Sequence, residues 1–253
     1  TQNLLIMIKT LFLFLLLISS VHAGTFVPEN ESHNGTQTQL KVFYRVHKTT
    51  HHFNFKIGPS GVNNQITQFE FGTRLRHIKN HQFGLNFEYK SGERRTNDWV
   101  KDSSGWVWED VSKRFENLIS AYHAKKISRL FNSQLNAKIK STLNYNLSNQ
   151  EQTFILRPSL AYFIFGDITP IYSLHFAAPF YFPLNFSDEF IYKKSIYCGI
   201  LYHYSQKYQF GINYRNSHMI WNKSEELVTL KPSENYKAHD TLHSIGVEFL
   251  IQL

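Results

Sequence analysis

The sequence closes on an alternation of apolar and polar residues that continues to its last position. Residues 243–253 read HSIGVEFLIQL, which puts Ile245, Val247 and Phe249 on one face of an extended chain and Glu248 on the other. Such a two-faced strand, in a chain that begins with a secretory leader, is typical of barrels with lipid outside and water inside. The pattern therefore predicts an all-β fold.

The leader occupies the first part of the chain. Lys9 provides a positive charge, Leu11 to Ile18 an apolar run, and Val21-His22-Ala23 a small-residue cleavage pattern. The apolar run is shorter than the about 20 residues that a membrane-spanning helix needs. We therefore expect residues 1–23 to be a signal peptide, with residues 1–6 an upstream translation artefact, rather than a membrane anchor.

Composition narrows the class of protein further. Aromatic residues make up 16% of the chain, yet the mean hydropathy is −0.35, which fits barrel strands that are apolar on one face only. The net charge of +8 is compatible with nucleic acid, anionic lipid or anionic solutes as partners, and export argues against nucleic acid. Cys198 is the single cysteine, so no intramolecular disulfide can form.

Short and long connections alternate along the chain, which is the arrangement of periplasmic turns and extracellular loops in outer-membrane barrels. The short connections lie near 78–81, 128–132, 166–169 and 205–207, and the long ones near 58–65, 92–112, 148–152, 183–194 and 223–237. Between them we expect ten strands, at about 38–57, 66–78, 81–92, 114–127, 133–147, 153–165, 169–182, 195–205, 208–222 and 239–253. The prediction is an antiparallel up-and-down transmembrane barrel over 38–253, preceded by a flexible lead-in over 24–37. An even strand number places both ends of the barrel chain on the periplasmic side.

The first predicted strand changes phase along its length. Leu40 and Val42 alternate in one phase, whereas Phe53 and Phe55 alternate in the other. Either a bulge lies near 48–52, or the segment is two strands and the total is higher, with twelve strands possible.

Strand phases also identify the side chains that face the barrel interior. A charged side chain facing hydrocarbon at mid-depth would cost about 2–4 kcal/mol, so charged positions must point inward. The predicted pore-lining residues are basic: Arg45, Arg74, Arg76, Lys90, Lys138, Lys140, Arg157 and Arg215. The main inward acids are Glu70, Glu88 and Glu248. An excess of Arg and Lys in a narrow aqueous pore favours anions, whereas complete mutual neutralisation would instead fill a small barrel.

A catalytic alternative rests on His203 and Ser205, which lie two residues apart and share a strand face. The pair resembles the His-x-Ser element of lipid A deacylases and outer-membrane phospholipases. Those families continue with Asn, where this chain has Gln206, and they supply a partner that orients the histidine. We therefore expect a non-enzyme. The histidines have no metal-ligand spacing, so we expect no metal and no cofactor.

Four segments carry a resemblance to a known family: residues 82–92 (QFGLNFEYKSG), 156–162 (LRPSLAY), 208–215 (YQFGINYR) and 245–249 (IGVEF). With these the chain resembles the monomeric porins of the oligogalacturonate-specific and sialic-acid-inducible type. The resemblance implies a narrow pore with a basic lumen that passes acidic sugars. It also implies twelve strands, two more than the connections indicate.

The sequence thus predicts a monomeric channel for small anionic solutes, such as acidic sugars, in a Gram-negative outer membrane. Its partners would be outer-membrane lipid, lipopolysaccharide and the solutes. The alternatives are a non-conducting barrel that acts in adhesion or interaction through the loops at 92–112 and 223–237, and, third, a lipid hydrolase.

Overall fold

The computed structural model describes residues 31–59, 65–75, 79–102, 105–130, 134–166, 169–187, 189–221 and 238–253. Outside these ranges lie the expected signal peptide (1–23), residues 24–30, the loop expected at 223–237 and the candidate pore residue Arg76.

Twelve strands account for most of the described residues. They are β1 (Glu31–Val46), β2 (Thr49–Pro59), β3 (Gln65–Leu75), β4 (His81–Asp102), β5 (Gly105–Leu130), β6 (Leu135–Asn146), β7 (Gln152–Phe165), β8 (Pro170–Ala177), β9 (Phe180–Pro183), β10 (Lys193–His203), β11 (Tyr208–Trp221) and β12 (Ala238–Gln252). The described residues contain no helix that is long and apolar enough to cross a membrane.

The strands close into a ring, and the predicted all-β barrel is confirmed. Successive strands pair antiparallel from β1 to β8, and the ring continues through β10 and β11 to β12. The short β9 continues the line of β8, because both lie between β7 and β10. Ala178 and Pro179 separate them, and proline has no N–H group for the ladder. The ring therefore has eleven strand positions rather than ten.

The ring closes through a parallel pair, β1 against β12, with Leu40 opposite Phe249. An alternating ring with an odd number of strands must contain one parallel pair, so the barrel is not wholly antiparallel as predicted. Both strands run from the long-loop end to the short-turn end. Glu31 therefore lies at the loop end and Leu253 at the turn end, and the expectation that both ends of the barrel chain share one side is wrong.

The extra strand comes from the first predicted segment, which is two strands joined by a turn at His47 and Lys48. His47 adopts a φ of 50°, a left-handed conformation suited to a tight turn. The turn restarts the alternation, which explains the phase change. Residues 31–37, expected in a flexible lead-in, belong to β1, because their backbone pairs with β12 although their side chains are mostly polar.

Residues 93–112, expected to form a polar loop, mostly continue β4 and β5 as a paired hairpin. Its register places Trp99 opposite Trp108, with an irregularity between Arg95 and Asp98. The remaining strands lie close to their predicted positions, since each alternates in a single phase between clear turn signals.

Candidate functional site

The barrel is apolar outside and polar inside. Large apolar side chains stay exposed on the outer face, with Leu85 and Phe115 each at 63% exposure. Polar side chains are buried on the inner face, with Asn213 and Glu248 each at 2%. A water-soluble protein would show the reverse distribution, so the interior is the place to look for a functional site.

Glu248 connects β1 and β12 on the inner face of the parallel pair that closes the ring, which we call the parallel seam. Lys41 on β1 donates a hydrogen bond from Nζ to Glu248 Oε2 at 2.7 Å, and Tyr197 on β10 donates its hydroxyl to Oε1 at 2.8 Å. Gln37 Nε2 also donates to Asn213 Oδ1 at 2.6 Å. This third bond passes over β12, so these side chains link β1 to both β12 and β11.

Glu70 on β3 is held by three neighbours within the wall. Asn86 Nδ2 donates to Oε1 at 2.8 Å, Asn54 Nδ2 donates to Oε2 at 3.2 Å, and His52 Nε2 lies 3.1 Å from Oε1. Glu88, directly opposite Glu70 in the ladder, pairs with Lys90 at 2.7 Å. The three acids predicted to face inward therefore all have partners in the barrel wall.

Two of the predicted basic residues face each other in the strand ladder, on the side of the ring away from β1 and β12. Lys140 on β6 lies opposite Arg157 on β7, and Lys140 Nζ lies 3.8 Å from the centre of the Tyr122 ring. Neither forms an ion pair within the described residues. Arg157 has protein on every side and interacts electrostatically with Arg215 and Glu248, yet its side chain is exposed. The barrel interior therefore has space for water beside Arg157.

Further cations lie near this pair. Arg215 on β11 stacks over the Tyr197 ring, with Cζ 6.0 Å from the ring centre. Lys56 on β2 interacts electrostatically with Arg215, Lys193 and Lys90, and within the described residues neither Lys56 nor Arg215 forms an ion pair. We call Lys56, Lys140, Arg157 and Arg215 the cation group.

The remaining predicted pore residues do not belong to this group. Arg45 lies beside the β1–β2 turn, where its Nε donates to the His47 carbonyl at 3.3 Å. Lys90 is paired with Glu88. Arg74 lies 5.8 Å from the Phe43 ring centre, and Lys138 is opposite Ser159 in the ladder.

The structure does not bring His203 and Ser205 together as a catalytic pair. Ser205 Oγ accepts the turn N–H groups of Lys207 and Tyr208, at 3.2 and 3.1 Å. His203 Nε2 instead lies 2.8 Å from Ser173 Oγ. Ser173 has no exposed surface, so its hydroxyl is not open to a substrate.

Sequence reasoning missed Lys56 and Ser173. Lys56 could have been found, because it alternates with Phe53, Phe55 and Ile57 once β2 is treated as a strand of its own. Ser173 gave no signal, since its partner His203 lies on another strand.

No group of three or more His, Cys, Asp and Glu side chains within the described ranges is arranged to hold a metal ion. No family model, no curated protein and no solved structure matches this chain, so its function must be argued from the barrel itself.

Proposed function

We propose that the protein is an outer-membrane channel for small anionic solutes, such as acidic sugars, with the barrel interior as its path. The observation that carries the proposal is the inverted distribution of side chains: an apolar outer face around a polar interior in which the Arg157 side chain is exposed. Lipid would cover the outer face, and the leader is consistent with export to a bacterial outer membrane.

The height of the apolar face fits this placement. On β7 the outward positions run from Phe154 to Ile164, ten residue steps of about 3.4 Å, or about 34 Å along the strand. With the strand tilt of about 40° usual for such barrels, this corresponds to about 26 Å. Outer-membrane barrels carry an apolar band of about 25 Å.

Amphipathic rings border the apolar face at both ends. At the turn end, Tyr172 and Tyr202 lie on neighbouring strands with ring centres 5.3 Å apart. At the loop end, the Tyr214 hydroxyl bonds to His243 Nδ1 at 2.7 Å. Tyrosine and similar side chains favour the two interfaces of a bilayer, so the two ends have the character of membrane boundaries.

Anion preference follows from which of the charged side chains in the barrel interior have partners. Glu248 and Glu88 each pair with a lysine of the wall, and Glu70 is held by two amides and His52, whereas no member of the cation group forms an ion pair in the described chain. Uncompensated cations in a narrow aqueous passage lower the barrier for anions and raise it for cations.

Planar-bilayer recording with the purified full-length barrel tests the proposal. In a salt gradient we expect discrete conductance steps and a reversal potential of the sign that anion permeation produces. A protein that inserts into the bilayer but stays silent, or that conducts cations preferentially, would refute the anion channel.

A second candidate, adhesion or interaction at the cell surface, is favoured by the β4–β5 hairpin. β3 pairs with β4 only as far as Gly92, and the hairpin continues for about ten residues, or about 33 Å. If the hairpin is the functional part, removing residues 95–110 abolishes cell binding and leaves conductance unchanged.

A further inference from the structure

We propose that His175, His203 and Ser173 form a binding site for one divalent transition-metal ion on the inner wall of the barrel. Ser173 Oγ lies 2.8 Å from His175 Nε2 and 2.8 Å from His203 Nε2. The two imidazole nitrogens therefore face one common atom, the serine oxygen. Convergence of this kind is what metal coordination by two histidines requires.

Strand geometry produces this convergence. Ser173 and His175 are two residues apart on β8 and share its inner face, and His203 lies on the adjacent β10. The Phe163 ring of β7 packs near both imidazoles, with ring centres 6.3 Å from His175 and 6.4 Å from His203. The rings are thus held by three strands of the wall.

Two other histidine pairs lack this arrangement. His81 Nδ1 lies directly against His123 Nε2 at 2.9 Å, with the rings stacked 14° from parallel. His218 and His239 are also stacked, with nitrogens 3.4 Å apart. In both pairs one ring nitrogen faces the other, so their lone pairs do not meet at a third point where an ion could bind.

Binding requires a small rearrangement and a change of histidine tautomer. The serine hydroxyl has one hydrogen and can donate it to one imidazole only, so the other imidazole must carry a hydrogen on Nε2. For a metal ion to bind both Nε2 atoms, that imidazole must carry its hydrogen on Nδ1 instead, a change of tautomer that releases no net proton. Ser173 Oγ would be a third, weaker ligand, and water would reach the remaining positions from the side of the two partly exposed imidazoles.

The surroundings restrict which metals bind. Glu248 favours a positive charge near His175, whereas Lys41 and Arg157 oppose it. Because general electrostatic attraction is weak here, the ion must bind through strong imidazole bonds. Zn²⁺, Ni²⁺ and Cu²⁺ meet this requirement, whereas Mg²⁺ and Ca²⁺ prefer oxygen ligands.

Calorimetric titration of the full-length barrel in detergent, with Zn²⁺ as the probe, tests the site. The starting protein carries His81→Gln and His218→Gln, which break the two stacked pairs. We expect it to bind one Zn²⁺ per protein. Adding His203→Gln should abolish this binding, whereas adding His243→Gln should not. Mg²⁺ should give no heat of binding.

A starting protein that binds no Zn²⁺, or equal Zn²⁺ uptake with and without His203, would overturn the proposal. If the His203→Gln variant does not fold, Cu²⁺ electron paramagnetic resonance of the starting protein tests the metal site instead. Two coordinated nitrogens are expected, and a signal from fewer would contradict the site. Binding in detergent does not depend on conduction, so the metal site and the anion channel can fail separately.

Discussion

The inward acids and the cation group differ in how firmly their side chains are held in the barrel wall. Glu248 and Glu70 each receive two or more hydrogen bonds from other strands. Arg157 and Lys56, by contrast, form no ion pair with described residues. The difference suggests that the acids hold the wall together, while the cation group remains available to passing ions.

The largest loss of stability should follow Glu248→Ala. Removing a buried carboxylate leaves Lys41 and the Tyr197 hydroxyl without their acceptor, and breaking a fully buried pair costs about 3–5 kcal/mol. Lys41 is 27% exposed, so we expect about 2–3 kcal/mol, measured as the unfolding free energy in urea and detergent. Glu248→Gln, which keeps an acceptor, should lose less. Equal losses for the two variants would show that the carboxylate charge and hydrogen bonds are not what stabilises the seam.

A smaller loss is expected from Gly246→Ala. Gly246 lies beneath the bond between Gln37 and Asn213, and an added Cβ would meet the Gln37 side chain and lie 2.9 Å from Asn213 Oδ1. Overpacking and the weakened hydrogen bond should together cost about 1–3 kcal/mol. The double variant Gly246→Ala with Gln37→Ala provides the control. It should lose less than the two single variants summed, and strict additivity would mean that the two residues are not coupled.

The smallest change in stability should come from Arg157→Gln combined with Arg215→Gln. Neither guanidinium has a carboxylate partner and the two repel each other, so we expect a change within about 0.5 kcal/mol. The anion preference in planar bilayers should nevertheless decrease. Lys125→Gln removes one positive charge from an exposed residue that lies opposite the outward Ile139, and its reversal potential should match that of the unaltered protein. Strong destabilisation by the arginine variant would show that the two arginines stabilise the barrel wall as the acids do, which would contradict the proposed difference.

Sequence periodicity predicted most of the wall, because a strand with one apolar face carries its orientation in every second residue. The alternation of Phe69 and Phe71 with Glu70, for example, is enough to place Glu70 inside. The same rule places Lys56, but only after β1 and β2 are separated, and the turn at His47 and Lys48 lacks the glycine or proline that usually marks such a boundary.

Contacts between strands could not be predicted in this way. The seam between β1 and β12 depends on total strand number, so one missed turn changed the predicted position of the first strand relative to the last. Likewise, Ser173 meets His203 only because β8 and β10 are neighbours in the ring, with β9 in line with β8. A side chain's partner on another strand depends on register, and periodicity alone does not fix register.

The parallel seam also determines how long a linker must be to connect the last strand of the barrel to the first in a circular permutant. In a barrel closed by an antiparallel pair, the first and last strands meet at one rim, and a short peptide can link them. Here the seam runs in register from Glu31 opposite Asp240 to Phe43 opposite Gln252. A linker from Leu253 to Glu31 must therefore run back along the wall, about 40 Å for twelve residue steps. A circular permutant with a linker of four or five residues should fail to close, whereas one of fifteen or more should form the same ring.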